Sequence, residues 1–214
     1  MWQRVRAHHL AALAGLALFV ALGVANHALT ELGGDAARQT EVRLGLLSRL
    51  QGLALERADR DAAFHRAANR LLMEGSAVDT GAAREIVDGA RALARKSEAL
   101  NRYLEGAGSI LPDEERATNA GAVQLVAQAV GEVVAGAEAL ADSPREGARL
   151  EAVGAAARDL DGVLSQAQSR VEGALTRGRN RAETILEQAR IRYGALAAAA
   201  LVLVAFAMRK RLVS

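Results

Sequence analysis

The last third of the chain constrains the fold most, because one helical pattern runs from a polar surface into a wholly apolar segment. Small and aliphatic residues recur at spacings of three and four from Leu150 to Ala189, as in a helix that packs one face against other helices. From Tyr193 to Met208 this periodicity stops and no charged residue occurs. A helix that is apolar on all sides lies in lipid or in a large core. The pattern therefore predicts one helix from Ser143 to Met208 that enters a membrane at its end.

The composition favours an all-α fold. The 214 residues include only two prolines, and aromatic residues make up 3%. Alanine is abundant, and no stretch shows the recurring alternation of apolar and polar residues that a half-buried strand requires. The chain has no cysteine, which excludes disulfides, thiol chemistry and zinc sites of the cysteine type.

Charge and motif content argue against nucleic-acid binding and against catalysis. The formal net charge is +2, and acidic residues alternate with arginines instead of leaving a basic stripe. Asp59 and Asp61 are two residues apart and so lie on different faces of a helix, while a lone His65 is typical of a helix surface. We expect no enzyme activity, no cofactor, no metal site and no nucleic-acid partner.

A second apolar segment lies near the N-terminus. Arg4 and Arg6 precede an uncharged run that begins at Leu10 and passes Ala25. With the residues that follow, this run reaches about the 20 residues that cross a bilayer. The basic residues before it favour a cytoplasmic N-terminus. The alternative is a signal peptide that is cleaved near Ala25, where small residues occur.

The two apolar segments predict a protein of the bacterial inner membrane with both termini in the cytoplasm. Arg209, Lys210 and Arg211 follow the second segment, whereas Arg190 and Arg192 lie on its other edge and weaken the charge asymmetry. The predicted layout is a cytoplasmic N-terminus at 1–9, a transmembrane helix at 10–29, a periplasmic helical domain at 30–192, a second transmembrane helix at 193–208 and a cytoplasmic tail at 209–214.

Turn and capping signals divide the predicted periplasmic domain into four helices. Helix one is expected over 30–74, before Gly75 and Ser76, and helix two over about 81–105. Pro112, followed by three acidic residues, predicts the start of helix three. The sequence Ser-Pro-Arg-Glu at 143–146 is a capping box that predicts the start of the last helix.

The helix lengths favour one topology. At 1.5 Å per residue, the outside parts of helices one and four span about 65 and 75 Å, and helices two and three about 40 Å each. We expect an antiparallel four-helix up-down-up-down bundle, flanked by two transmembrane helices continuous with helices 1 and 4. A two-helix stalk would join the bundle to the membrane. Its exposed seam at Ala174, Gly178 and Ala182 would be buried by a second copy, which predicts a homodimer.

Two spans that bracket four helices resemble the sensory half of a methyl-accepting chemotaxis protein, of the type with a four-helix-bundle ligand-binding domain. The resemblance covers nearly the whole chain. It rests on this layout, on the stretch ERADRDAAFHRAANRLLMEGS that ends helix one, and on the closing AFAMRKRLVS, which is similar to a second span entering a HAMP linker. Histidine kinases and cyclic-dinucleotide enzymes share this layout, so the resemblance implies a sensor input module without a particular output.

The sequence stops at Ser214, before any HAMP or signalling domain. Two alternatives follow from this. Either the chain is a piece of a longer receptor, or it signals by pairing with a cytoplasmic signalling domain or membrane protein in trans.

The candidate ligand site lies on helix one. The resemblance implies that arginines of the outside bundle grip a small ligand, and the apolar seam of helix one reaches Arg57 and Arg60 where core residues are expected. Guanidinium groups turned toward an interface can clamp a carboxylate or a phosphate. The candidate ligand-binding residues are Arg57, Arg60, Asn69, Arg66 and Arg70. The alternative is that Arg60 pairs with Glu56 and Arg57 with Asp61 on an exposed face.

The predicted function is an input module that senses a periplasmic ligand or partner and transmits motion through the last helix. The alternative is a membrane-anchored helical scaffold or assembly protein of an envelope complex that binds no small molecule. A third possibility is a secreted or tail-anchored helical protein that forms after signal cleavage.

Overall fold

All secondary structure in the described part of the chain is helical, which confirms the predicted all-α class. The computed structural model describes residues 2–73, 80–143 and 147–212; within them, the side chains of residues 2–15, 17, 18, 72, 73, 80, 203, 204 and 206–212 are not described. The helices are α1 (Trp2–Met73), α2 (Thr80–Ala107), α3 (Asp113–Asp142) and α4 (Gly147–Leu212), with a 3₁₀ turn (Gly108–Ile110) between α2 and α3.

The helix ends lie close to the positions expected from the sequence. The first residue of α3 is Asp113, and Pro112 is its N-cap, with the Pro112 carbonyl accepting a hydrogen bond of 2.8 Å from the Arg116 N–H. Acidic residues fill the first turn of α3, where the helix dipole favours them. Ser143 is the C-cap of α3, and the rest of the predicted capping box at 144–146, like the predicted turn at Gly75 and Ser76, lies outside the described residues.

The chain divides into two compact units. The core unit is Gln39–Thr176, and the terminal unit is formed by Met1–Arg38 together with Arg177–Ser214.

Apolar side chains from all four helices form one cluster in the core unit. The buried positions follow the three-four spacing read from the sequence, so the periodicity identified the faces that pack together. Leu53, Leu100, Leu140 and Leu160 are each fully buried, one from each helix. Burial of such side chains contributes about 1.5–3 kcal/mol each.

The α4 seam is buried only within the core unit. Its buried positions are Val153, Ala157, Leu160, Leu164, Ala167, Val171 and Ala174. Ala174, which was expected in an exposed stalk, is 7% exposed and therefore belongs to the core. Further along, Gly178 and Ala182 are half-buried and Ile185 is 40% exposed.

One helix of the described part of the chain has the length and apolar character of a membrane span. This helix is α3, in which an 18-residue stretch has a mean hydropathy of 1.3. Because α3 also contributes nine buried residues, its composition is that of a core helix and is weak support for a span. The segments 10–29 and 193–208 contain residues whose side chains are not described, so the two-span topology stays a prediction.

Candidate functional site

Arg57 lies on the buried seam of α1, four residues after Leu53. The residue is 7% exposed. Its Nη1 donates a hydrogen bond of 2.8 Å to Asp61 on the same helix, and its Nη2 donates one of 3.3 Å to Asp161 on α4. Arg57 thus joins α1 to α4. The predicted pairing with Asp61 is present, but the face is buried at Arg57 rather than exposed.

The third guanidinium nitrogen of Arg57, Nε, has no partner among the described residues. This nitrogen is also buried. An unpaired buried donor carries a desolvation penalty of about 1–3 kcal/mol, which a polar ligand or water would relieve. Both carboxylates that pair with Arg57 remain hydrated, because the side chains of Asp61 and Asp161 are 44% and 53% exposed.

The guanidinium also affects the ionisation of its neighbour. The hydrogen bond from Arg57 lowers the pKa of Asp61 below its ordinary value, against the opposing effect of burial. Asp61 therefore stays ionised in the folded protein at neutral pH, and Arg57 keeps an anionic partner.

Arg60 lies beside this buried pair in a second charged group. Its Nε donates a hydrogen bond of 2.8 Å to Glu56, as the alternative pairing predicted. The Nζ of Lys96 on α2 lies 2.9 Å from the other carboxylate oxygen of Glu56 and donates to the carbonyl of Gly52 at 3.2 Å. Hydrogen bonds from Lys96 and from Arg60 lower the pKa of Glu56. Arg60 is 46% exposed, so one of the two arginines faces water.

Arg57 and Arg60 line a cavity of about 40 Å³ within the core unit. Its walls are otherwise mostly apolar, with Glu85 as a further charged residue. This volume is enough to hold water. The remaining lining residues are Ala63, Phe64, Ile86, Gly89, Ala90, Leu93, Val133, Val153 and Ala157.

The other predicted site residues are not in the cavity wall. Arg70 forms an ion pair with Glu85, which does line the cavity. Arg66 and Asn69 are exposed and are absent from the lining. The structure therefore brings two of the five candidates together and connects a third to them through Glu85. Their role in ligand binding stays a prediction.

His65 lies at the surface, with its Nε2 at 3.4 Å from Asp61. Within the described ranges, no group of three or more histidine, cysteine or acidic side chains is arranged to hold a metal ion.

A buried ion pair at another level of the core unit was not predicted. Arg43 on α1 donates two hydrogen bonds to Glu115 on α3, from Nε and Nη2, each of 2.7 Å. The two side chains are 5% and 17% exposed. The signal was present in the sequence, because extending the α1 seam backward from Leu46 by three residues reaches Arg43, just as extending it forward from Leu53 reaches Arg57.

Gly45, on another face of α1 from Arg43, packs closely against Tyr103 of α2. A Cβ atom placed on Gly45 would lie 2.0 Å from the Tyr103 hydroxyl oxygen, so only glycine fits there without movement of the ring. The guanidinium carbon of Arg49 lies 3.6 Å from the centroid of the same ring, which is the geometry of a cation–π contact.

A larger concavity lies between α2 and α3. This open groove has a volume of about 740 Å³. Its floor includes Ala94, Val130 and Val134, and Glu98 and Arg102 lie among its lining residues. No sequence motif pointed to it, because small residues are scattered through every helix of the chain.

Comparison of the chain with known protein families, with curated proteins and with solved structures finds no match.

Proposed function

We propose that the protein is a signal-transduction input module of a bacterial inner membrane, in which the core unit senses a small anion and α4 carries the response toward the cytoplasm. The observation that supports this most is the continuity of α4. One helix, Gly147–Leu212, contains both the buried seam of the core unit and the uncharged segment that begins at Tyr193. A continuous helix moves as a stiff body more readily than two helices joined by a loop.

Exposed apolar side chains support membrane insertion of both apolar segments. In α1, Leu16, Phe19 and Val24 are 61%, 76% and 64% exposed. In α4, Leu201 and Val202 are 65% and 67% exposed. Clusters of large exposed apolar residues mark contact with lipid or protein. We place residues 10–29 and 193–208 in the bilayer, the core unit in the periplasm and both termini in the cytoplasm.

The proposed architecture is an antiparallel up-down-up-down four-helix bundle. Three observations support it: the single apolar cluster to which all four helices contribute, the short connection of residues 108–112 between α2 and α3, and the hydrogen bond between Arg57 of α1 and Asp161 of α4. The half-buried Gly178 and Ala182 would be covered by a second copy in a homodimer.

The small cavity suggests how binding is coupled to movement. We propose that a carboxylate or phosphate that pairs with both Arg57 and Arg60 needs more room than this small cavity of about 40 Å³ provides. Such a ligand would therefore bind preferentially to an arrangement in which the helices around the cavity have moved apart. A ligand shifts a conformational equilibrium only through its different affinities for the two arrangements, and the small volume of this cavity would provide that difference. The shift would reach a cytoplasmic signalling domain or partner through α4.

The first arm of the test measures whether the protein is inserted in the membrane with its core unit in the periplasm. Since the chain has no cysteine, a single exposed Gln51→Cys substitution can be labelled without background. We expect the full chain to resist alkaline carbonate extraction from bacterial membranes, and Gln51→Cys to react with a membrane-impermeant maleimide added to spheroplasts. Extraction at high pH would overturn membrane insertion, and labelling only after lysis would overturn the periplasmic position.

The second arm tests ligand binding on the purified full chain. A panel of small carboxylates and inorganic phosphate is titrated while the thermal unfolding midpoint is followed. We expect at least one anion to raise the midpoint and Arg60→Gln to weaken its binding about tenfold or more, since hydrogen bonds to charged groups contribute about 1.5–3 kcal/mol. The control is Arg84→Gln, which removes an exposed arginine outside the cavity wall.

The groove between α2 and α3 favours a second function, docking of an envelope partner by a membrane-anchored scaffold. Its volume of about 740 Å³ and its apolar floor fit an elongated partner better than the 40 Å³ cavity does. If no anion on the panel shifts the unfolding midpoint, sensing at Arg57 and Arg60 is overturned and this docking function is favoured.

A further inference from the structure

We infer that Arg190 and Arg192 bind the phosphate groups of anionic phospholipids at the edge of the apolar segment of α4. The inference rests on the proposed membrane insertion and names a partner for that segment. Both arginines are exposed, and Ile191 between them is 65% exposed. The uncharged segment begins one residue later, at Tyr193. The positive charges of Arg190 and Arg192 thus lie immediately beside the proposed hydrocarbon layer.

Neither guanidinium is neutralised by the protein. In the part of the chain that the structure describes, Arg190 and Arg192 form no ion pair or hydrogen bond through their side chains. Glu187 precedes Arg190 by one helical turn but is not within ion-pair distance of it. By contrast, Arg179 pairs with Glu183 at 3.0 Å. Arg190 and Arg192 are therefore available to an external anion at this edge of the apolar segment.

Their position along the helix fits the headgroup layer. With a rise of 1.5 Å per residue, both α-carbons lie within about 5 Å of Tyr193 along the helix axis. The polar layer on each side of a bilayer is roughly 5–8 Å thick. Because residues two apart are separated by about 200° around a helix, the two guanidinium groups point to opposite sides. They would engage two different lipids rather than clamp one.

The same helix carries a matched pair of arginines out of reach of that layer. Arg177 and Arg181 are also exposed, but their α-carbons lie about 18–24 Å from Tyr193 along the axis. This distance exceeds the Debye length of about 8 Å at physiological ionic strength. Any lipid attraction that depends on general positive charge near the membrane should therefore be much weaker for this second pair.

The chemistry favours phosphate over other anions at this depth. A guanidinium donates two parallel hydrogen bonds to a phosphate and is weakly hydrated, so it keeps this pairing where water is scarce. An anionic lipid also supplies a net negative charge, which phosphatidylcholine lacks. Each basic residue near an anionic surface strengthens attachment about fivefold, so two of them should contribute about 25-fold.

The test measures phosphatidylglycerol binding to the full chain. The purified protein is titrated with phosphatidylglycerol or phosphatidylcholine, and bound lipid is counted by native mass spectrometry. We expect Arg190→Gln/Arg192→Gln to weaken phosphatidylglycerol binding about 25-fold and to leave phosphatidylcholine binding unchanged. The control Arg177→Gln/Arg181→Gln makes the same change in charge and should stay within about twofold of the unmodified protein.

Three results would overturn the inference: unchanged phosphatidylglycerol binding in Arg190→Gln/Arg192→Gln, equal weakening in both double variants, or displacement of the lipid by inorganic phosphate at equal concentration, which would indicate a site for free phosphate. Carbonate extraction of each variant separates these results from failure of the proposed function. A protein that remains in the membrane and shows one of these three results contradicts only the lipid site, whereas a protein that is extracted contradicts membrane insertion itself.

Discussion

Two buried arginines of α1 lie two heptads apart on the same seam but in different surroundings. Arg43 gives two hydrogen bonds of 2.7 Å to one largely buried carboxylate, Glu115. Arg57 divides its hydrogen bonds between two half-exposed carboxylates, has an unpaired Nε and borders a cavity.

Under the proposed function, this difference separates a structural arginine from one that can accept a ligand. At Arg43, both Nε and Nη2 donate to Glu115. Around Arg57 a donor and some space remain. Arg43 and Arg57 lie on the same face of α1 but would therefore differ in their capacity to bind a ligand. The carboxylate that each arginine meets on the facing helix would cause this difference.

The largest effect should come from breaking the Arg43 pair. Glu115→Ala leaves a buried guanidinium without its carboxylate, and removal of one partner of a buried pair costs about 3–5 kcal/mol. We expect the free energy of unfolding, measured by urea denaturation, to fall by this amount. Glu114→Ala is the control, because Glu114 is exposed in the same helical turn and its loss should cost no more than about 1 kcal/mol. Equal losses in both variants would show that the buried pair has no special role.

A pair of glycine substitutions compares the packing of α1 against Tyr103 with the packing of α2 beside the cavity. In Gly45→Ala the new methyl group would lie 2.0 Å from the Tyr103 hydroxyl oxygen, so overpacking should destabilise the fold by about 1–3 kcal/mol. In Gly89→Ala, at the cavity, the nearest atom is Arg60 Cδ at 3.5 Å, an ordinary contact. This variant should be more stable by up to about 1 kcal/mol, since alanine favours a helix more than glycine does.

Thermal unfolding of both alanine variants gives the comparison directly. If Gly45→Ala were as stable as Gly89→Ala, the tight packing around Tyr103 would be contradicted.

The smallest effect should follow removal of the Arg57 side-chain charge. Arg57→Met loses two pairs with half-exposed carboxylates but also removes the unpaired Nε, so we expect a change below about 1 kcal/mol at neutral pH. Arg57 lowers the pKa of Asp61 in the folded state. Its contribution is thus present above the ordinary aspartate pKa of about 3.9 and is lost as the pH falls through the lowered value.

The difference in stability between Arg57→Met and the unmodified protein should therefore shrink below about pH 4. Urea denaturation at a series of pH values checks this. If Arg57→Met lowered the free energy of unfolding at neutral pH as much as Glu115→Ala does, the proposed difference between Arg43 and Arg57 would be contradicted.

The sequence predicted the helices and their buried faces well because both depend on local spacing. The three-four spacing from Leu150 onward predicted a packed face, and Val153, Leu160 and Ala167 on it are buried. Pro112 and the acids after it marked the start of α3 to within one residue. Helix propensity, capping and periodicity are properties of neighbouring residues, so they can be read without a structure.

The partners of the charged residues were only half predictable. The pairs Arg57–Asp61 and Arg60–Glu56 are four residues apart on one helix and follow from spacing. The pairs Arg57–Asp161 and Arg43–Glu115 depend on which helices face each other and at what level. The volume of the cavity depends on the fit of side chains from several helices, and no local pattern encodes it.

The hydrogen bond between Arg57 and Asp161 also bears on the order in which the core unit assembles. It joins residues 104 positions apart in the chain, whereas α2 and α3 are joined by a few residues and can pair soon after both have been synthesised. Closing a long loop is slower than closing a short one. Asp161 also leaves the ribosome after most of the other core residues. The α1–α4 contact should therefore be among the last to form, and the cavity beside Arg57 should take its final volume only at the end of folding.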